Sequence, residues 1–178
     1  LAFGAYRREV FDEIGYFDEE LTRNQDDEFN YRLRKSGRKI FFTPKIKSYY
    51  YPRSSLKGLW GQYFQYGFWK VRVLQKHTKM MQLRQFVPPA FVASLIAAGL
   101  AGLFVKQISW VFLFIFCLYF AANLSASAFV SWKKGTKYFF SLPLIFFILH
   151  VSYGLGFLIG IIKFAKYWKQ GGWYLTDD

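Results

Sequence analysis

Three consecutive carboxylates, Asp26, Asp27 and Glu28, are the side chains of this sequence best suited to chemistry. Neighbouring carboxylates repel each other, so their proximity costs free energy unless a metal ion, a cation or a polar substrate uses them. A structural interpretation is also open, because acidic residues stabilise the first turn of a helix or form a solvated loop. Which interpretation applies depends on the elements that hold the triplet.

The charge of the chain is distributed unevenly. Of its eleven acidic residues, nine lie at or before Glu28, and the other two are Asp177 and Asp178. The 178 residues carry a net charge of +13, and 53% of them are hydrophobic. Such a large net positive charge could indicate nucleic-acid binding. We favour anionic membrane lipids as the partner, because the basic clusters lead directly into apolar segments of membrane-spanning length.

Turn residues divide the first part of the chain into short elements. Glycine and Ser-Gly pairs end helices, and proline ends strands. The pattern predicts a helix that ends at Gly15, a helix over residues 29–34 that Ser36-Gly37 stops, and a strand over residues 39–43 that ends at Pro44. The acidic triplet therefore stands at the start of a helix.

Three apolar segments after Phe86 are long enough to cross a bilayer, which takes about 17–25 helical residues. We predict them at residues 89–105, 108–130 and 138–162. Spaced glycines in the third segment favour close packing against another helix. His150 in that segment could be a buried proton site, although a single intramembrane histidine more often bonds a neighbouring helix.

The orientation of the third segment stays open. The cationic loop 132–137 suits the cytoplasmic side, which agrees with a cytoplasmic amino-terminal part and two crossings before the loop. A third crossing would place Lys163, Lys166 and Lys169 outside, against the positive-inside rule. Either the last segment is re-entrant, or the first lies in the interface, or the rule is violated locally.

Residues 54–87 interleave aromatic and cationic side chains. Aromatic rings suit the headgroup layer of a membrane, and long cationic side chains reach outward from it. We predict amphipathic interfacial helices here, followed by membrane helices over 88–163 and a basic tail over 164–178. The alternative is ordinary amphipathic helices that pack on a soluble core.

Short motifs follow one another in a fixed order through about the first 75 residues. They include Ile14-Gly15-Tyr16-Phe17-Asp18-Glu19, then Asp26, then Arg32-Leu33, Gly37 and Pro44. This order resembles the second half of a family 2 glycosyltransferase domain, of the membrane-bound exopolysaccharide type found in succinoglycan biosynthesis. Several weak motifs in the right order are together more specific than any one alone.

The resemblance implies an α/β fold of the GT-A type with a mostly parallel sheet, of which residues 1–53 would be the carboxyl-terminal part. The family's nucleotide-binding strands and its Asp-x-Asp motif are not in these residues. We therefore expect a carboxyl-terminal fragment that is inactive alone. A divalent cation, magnesium or manganese, is expected only through the absent upstream Asp-x-Asp motif.

The resemblance also implies a general base. Gln25-Asp26 occupies the place of the family's Glu-Asp pair. Asp26 would then deprotonate the acceptor hydroxyl as it attacks the anomeric carbon of the donor sugar. Gln25 could still hydrogen-bond the acceptor. Asp27 and Glu28 would be flanking groups that hold acceptor hydroxyls or solvate the start of the helix.

A second acceptor-binding pair is implied on the interfacial segment. Processive members of the family carry a Gln-x-x-Arg-Trp motif, and here Gln65 and Trp69 are in register while Phe68 stands in place of the arginine. We expect Gln65 and Trp69 to line the acceptor site, and the loss of the arginine favours addition of a single sugar. No residue of this sequence is assigned as a metal ligand.

The implied function is the inverting transfer of a sugar from a nucleotide-sugar donor to a polyprenyl-linked or polysaccharide acceptor. The enzyme would be a hexosyltransferase-type, multi-pass membrane protein of exopolysaccharide or cell-envelope glycan synthesis. Its expected setting is the bacterial inner membrane, with the catalytic part in the cytoplasm. The alternatives are a processive polysaccharide synthase and a non-catalytic membrane scaffold subunit.

Overall fold

The structure is a computed structural model that describes residues 4–47 and 49–169. Every regular element in those two ranges is a helix. The α-helices are α1 (Arg8–Ile14), α2 (Gln25–Lys35), α3 (Leu56–Lys76), α4 (Val87–Gly102), α5 (Lys106–Lys134), α6 (Leu142–Lys163) and α7 (Ala165–Lys169). Short 3-10 turns at Thr78–Met80, Leu83–Gln85 and Thr136–Tyr138 lie in the connections.

Helices α1 and α2 form a small amino-terminal unit. Gly15 ends α1 with a φ of 77°, and Gly37 follows α2 with a φ of 80°, in the left-handed region where glycine is favoured. Val10, Phe29 and Leu33 form the buried core between the two helices. Both helices and their stops agree with the sequence pattern, because short-range residue preferences specify them.

The expected α/β fold is wrong for the part of the chain that the structure describes. Residues 39–43, predicted as a strand, have no sheet partner, and no strand forms within 4–47 or 49–169. A strand is stabilised by backbone hydrogen bonds to a neighbouring strand, so β-propensity alone does not form one. Phe41 and Phe42 consequently stay 88% and 78% exposed.

Helices α4 and α5 form an antiparallel hairpin. Gly102 packs on Ser109 and Gly99 on Phe112, and the rings of Phe91 and Tyr119 stack with their centroids 4.1 Å apart. Three helical segments are long and apolar enough to cross a membrane, namely Leu83–Gly102, Lys106–Lys134 and Leu142–Lys163. They overlap the three predicted membrane segments.

Helix α3 lies side by side with α6 at very short range. A Cβ added at Gly67 of α3 would lie 2.1 Å from the carbonyl oxygen of Tyr153, and one added at Gly156 of α6 would lie 2.1 Å from that of Phe64. Real Cβ atoms do not approach backbone so closely, so both positions need glycine for the helices to meet. The close packing predicted for the third apolar segment is thus against α3.

We expect Gly67→Ala to destabilise the protein because the added methyl group must push α3 away from α6. Overpacking of this kind costs about 1–3 kcal/mol, against a gain of up to about 1 kcal/mol from the better helix propensity of alanine. The matched control is Gly61→Ala on the same helix, where nothing lies within 4 Å of an added Cβ. Unfolding in detergent measures both variants.

The control variant is expected to be as stable as the wild type or more so. Equal stability of the two variants would mean that the α3–α6 contact is not as close as the structure has it.

Candidate active site

The acidic segment 18–28 lies against basic residues at the carboxyl-terminal half of α3. Lys70 and Arg72 of that helix are buried, at 5% and 7% exposure, and burial of an unpaired cation is costly. The contacts are Lys70 Nζ to Asp27 Oδ2 at 3.1 Å, Arg72 Nε to Glu20 Oε1 at 2.8 Å, Lys76 Nζ to Glu20 Oε2 at 2.7 Å, and Lys76 to Asp18. Opposite charges thus hold the segment in place.

Glu28 is buried, at 2% exposure, inside a cluster of three elements. Its carboxylate accepts a hydrogen bond from Arg32 Nε at 2.7 Å and contacts His77 Nε2, just beyond α3, at 2.8 Å. Arg32 also donates to the carbonyl oxygen of Tyr16 at 2.7 Å. Glu28 therefore joins α2 to the end of α3.

A cavity of about 470 Å³ opens beside the first turn of α2. Asn24, in a left-handed conformation with a φ of 65°, precedes that turn and donates from Nδ2 to the carbonyl oxygen of Tyr66 at 3.3 Å. This contact sets the start of α2 against the middle of α3. The lining residues are Asn24, Asp26 and Asp27, then Tyr63, Tyr66 and Lys70 of α3, Gln85 and Pro88 at the start of α4, and Leu149, His150 and Tyr153 of α6.

The lining of the cavity suits a ligand rich in hydroxyl groups. Asp26 and Asp27 accept hydrogen bonds, tyrosine hydroxyls both donate and accept, and aromatic rings supply flat apolar walls. A neutral polar ligand such as a sugar therefore fits these walls.

Tyr153 adds a specific indication of a ligand. Its hydroxyl is buried and has no hydrogen-bond partner among the residues that the structure describes. Buried hydroxyl groups are almost always hydrogen-bonded, because leaving one unpaired costs about 1–3 kcal/mol. Since Tyr153 lines the cavity, a polar group of a bound ligand could satisfy it.

The sequence-predicted site residues divide into three groups. Asp26, which is half-buried, and Asp27 line the cavity. Gln25 lies beside them but donates from Nε2 to the carbonyl oxygen of Asp18 at 3.2 Å, so it stabilises the acidic segment. Gln65 and Trp69 lie on another face of α3, where Trp69 Nε1 donates to Gln65 Oε1 at 3.1 Å. The structure does not bring that pair to Asp26.

Sequence reasoning missed most of the cavity wall. Tyr63, Tyr66 and Lys70 share one face of a helix, since they follow at intervals of three and four residues, and this spacing could have indicated them. His150 and Tyr153 come from an apolar segment far along the chain. No local pattern connects them to the acidic triplet.

The cavity does not fit a divalent cation by itself. Among the residues described, no group of three or more histidine, cysteine, aspartate or glutamate side chains could hold a metal ion. Magnesium usually needs several oxygen ligands in octahedral geometry. Asp26 and Asp27 alone do not supply them.

Two relatives match most of this chain. It is 29% identical over 160 residues, 90% of its length, to the succinoglycan biosynthesis protein ExoA of Rhizobium meliloti. It is 28% identical over 164 residues, 92% of its length, to the dolichyl N-acetyl-alpha-D-glucosaminyl phosphate 3-beta-D-2,3-diacetamido-2,3-dideoxy-beta-D-glucuronosyltransferase of Methanococcus voltae. The chain spans about half the length of each relative, 47%. No family model and no solved structure matches.

The docking of α2 on α3 is expected to weaken in acid. Burial by itself raises the pKa of Glu28, but the hydrogen bonds from His77 and Arg32 and their charge outweigh burial and hold that pKa below its ordinary value of 4.5. A depressed pKa stabilises the folded state above the unfolded-state value, and the contribution is lost as the pH falls through the folded-state value. The melting temperature of the wild type should therefore exceed that of Glu28→Gln at neutral pH.

The difference between the two melting temperatures should shrink as the pH falls below 4.5, because protonated Glu28 then resembles glutamine. A difference that stays constant from neutral pH into that range would contradict this role of the Glu28 carboxylate.

Proposed function

Since this chain is a relative of glycosyltransferases of the succinoglycan type, we propose that it serves the transfer of a sugar from a nucleotide-sugar donor to a lipid-linked or polysaccharide acceptor. One observation carries the proposal for the described residues. Asp26, in the first turn of α2, lines a cavity whose other walls are α3, the region where α4 begins, and α6. A carboxylate and a sugar-sized cavity thus meet beside the segments that could enter a membrane.

Asp26 acts as the general base in this proposal. Its carboxylate takes the proton from an acceptor hydroxyl while that oxygen forms a bond to the anomeric carbon of the donor sugar. The bond from the anomeric carbon to the diphosphate oxygen breaks, and the nucleoside diphosphate leaves with the bonding electrons. Attack from the opposite face inverts the configuration at that carbon.

The remaining polar groups of the cavity orient the acceptor. Lys70 Nζ lies 3.1 Å from Asp27 Oδ2 and fixes the position of that carboxylate, which can accept a hydrogen bond from a second acceptor hydroxyl. Tyr153 supplies a further hydroxyl from α6. Holding the acceptor in the attacking geometry lowers the entropic part of the barrier.

In our proposal the nucleotide, the diphosphate and a magnesium or manganese ion are bound by residues other than those that the structure describes. The proposed setting is a bacterial inner membrane with Asp26 on the cytoplasmic side, where nucleotide sugars are made. Gln65 and Trp69 do not line the cavity, so they could contact only a part of the acceptor that extends outside it.

Replacement of Asp26 by asparagine tests the role of the base. Asp26→Asn keeps the size and much of the polarity but cannot take a proton, so we expect sugar transfer to fall by at least about 100-fold. The measurement is transfer of labelled sugar in membranes that contain the protein as the cell makes it. Asp12→Asn is the matched control, because Asp12 is exposed on α1 and does not line the cavity.

The control variant should transfer sugar at the wild-type rate. If Asp26→Asn also transfers at that rate, Asp26 is not the base, and a non-catalytic role of the chain would take the place of this proposal.

A further inference from the structure

The contacts between α4 and α5 show which residues of the two helices lie at the same level along the hairpin, and this gives a measure of depth for α4, α5 and α6. The hairpin pairs Gly102 with Ser109, Gly99 with Phe112 and Phe91 with Tyr119. Each step along α4 toward its start thus corresponds to an equal step along α5 toward its end. One further turn places Asn123 of α5 level with the first turn of α4, near Pro88.

The contacts of α6 with this hairpin lie within about one helical turn of the end where α4 begins, and they include the contact of the Tyr119 hydroxyl with His150 Nδ1 at 3.1 Å. Near the start of α6, the carbonyl oxygen of Pro143 accepts a hydrogen bond from Asn123 Nδ2 at 3.0 Å. Gly154 packs on Pro88, where an added Cβ would lie 2.6 Å from the carbonyl oxygen. Eleven residues separate Pro143 from Gly154, about 16 Å along a helix, yet both contact the level at which α4 begins. Helix α6 therefore crosses the hairpin and does not run along it.

Helix α3 extends this arrangement. Phe64 contacts Gly156 and Phe68 contacts Gly160, so the two helices run side by side in the same direction. The acidic segment with Asp26 lies on α3. Helices α3 and α6 thus form a layer across the end of the hairpin where α4 begins, and the cavity lies in that layer.

The distribution of cations agrees independently with this geometry. The turn between α4 and α5 contains one cation, Lys106. The connections at the opposite end of the hairpin are rich in cations, namely Lys76, Lys79 and Arg84 before α4, and Lys133, Lys134 and Lys137 after α5. If α6 crossed the membrane, Lys163 and Lys166 would lie on the side of the α4–α5 turn, where cations are few. If α6 stays on the side where α4 begins, nearly all cations share one side, as the positive-inside rule requires.

We propose that α6 does not cross the membrane but lies within the leaflet on the side of the acidic segment, with its exposed face among lipid acyl chains. That face includes Leu144, Ile159 and Ile162, which are 49%, 45% and 76% exposed, whereas glycines on the other face pack on α3. Burial of apolar side chains in lipid favours this position. The protein then crosses the membrane twice, and Lys166 lies on the same side as Asp26. This inference does not depend on the proposed function.

Single-cysteine labelling in the full protein tests the topology. Cys117→Ser first removes the native thiol of the sequence. Into that background we would introduce Gln107→Cys at the start of α5, next to the α4–α5 turn, Thr136→Cys between α5 and α6, and Lys166→Cys after α6. A membrane-impermeant maleimide is then applied to sealed cells and to inside-out vesicles. Lys163→Cys is a second reporter for the end of α6 if the variant at position 166 does not accumulate.

We expect Lys166→Cys and Thr136→Cys to label from the same side, and Gln107→Cys from the opposite side. Labelling of Lys166→Cys together with Gln107→Cys would show that α6 crosses the membrane and would overturn the proposal. Labelling of all three from one side would overturn it as well, because the α4–α5 hairpin would then not cross.

Discussion

The rest of the structure depends on the neutralisation of two buried cations of α3, Lys70 and Arg72. A cation removed from water costs several kcal/mol unless a partner compensates its charge. Asp27 and Glu20 supply that compensation, so the acidic segment cannot leave α3 without stranding both cations. Asp26 lies within this segment. Its position beside the cavity is therefore fixed, because moving the segment away would leave Lys70 and Arg72 buried without a compensating charge.

Helix α3 links these ion pairs to the packing of α6. The helix carries both the cations and Gly67, which allows α6 to approach. The ion pairs and the helix contact come together near the end of α6, where Gln75 Nε2 donates to the carbonyl oxygen of Phe164 at 3.0 Å and the Arg72 guanidinium lies 4.1 Å above the ring of Tyr167. Ion pairing and helix packing therefore support each other, and the cavity lies between them.

The features that local sequence determines could be predicted, and those that need a distant partner could not. The ends of α1 and α2 follow from glycines that adopt left-handed backbone, and the three helices long and apolar enough to cross a membrane follow from apolar runs. The strand over residues 39–43 was predicted from its side chains, but a sheet needs a second strand, which the described chain does not provide. Motif order singled out Asp26 and Asp27, which line a cavity in the structure, and the two relatives confirm the resemblance on which that choice was based. The register of the Gln65–Trp69 motif could not show that Trp69 faces away from Asp26. Nor could it show that Tyr153 of α6 and His77 would come close to the acidic segment.

The central claim is that the acidic segment is held by compensation of buried charge, and a double-mutant cycle between Asp27 and Lys70 tests it most directly. The side chain of Lys70 is 6% exposed and that of Asp27 is 53% exposed. Asp27→Asn would strand a buried cation, whereas Lys70→Met leaves a carboxylate that water can still solvate. Unfolding in detergent should show that Asp27→Asn costs about 2 kcal/mol more than Lys70→Met, and that adding Lys70→Met to Asp27→Asn recovers much of the loss. Equal and additive costs of the two single variants would contradict the account.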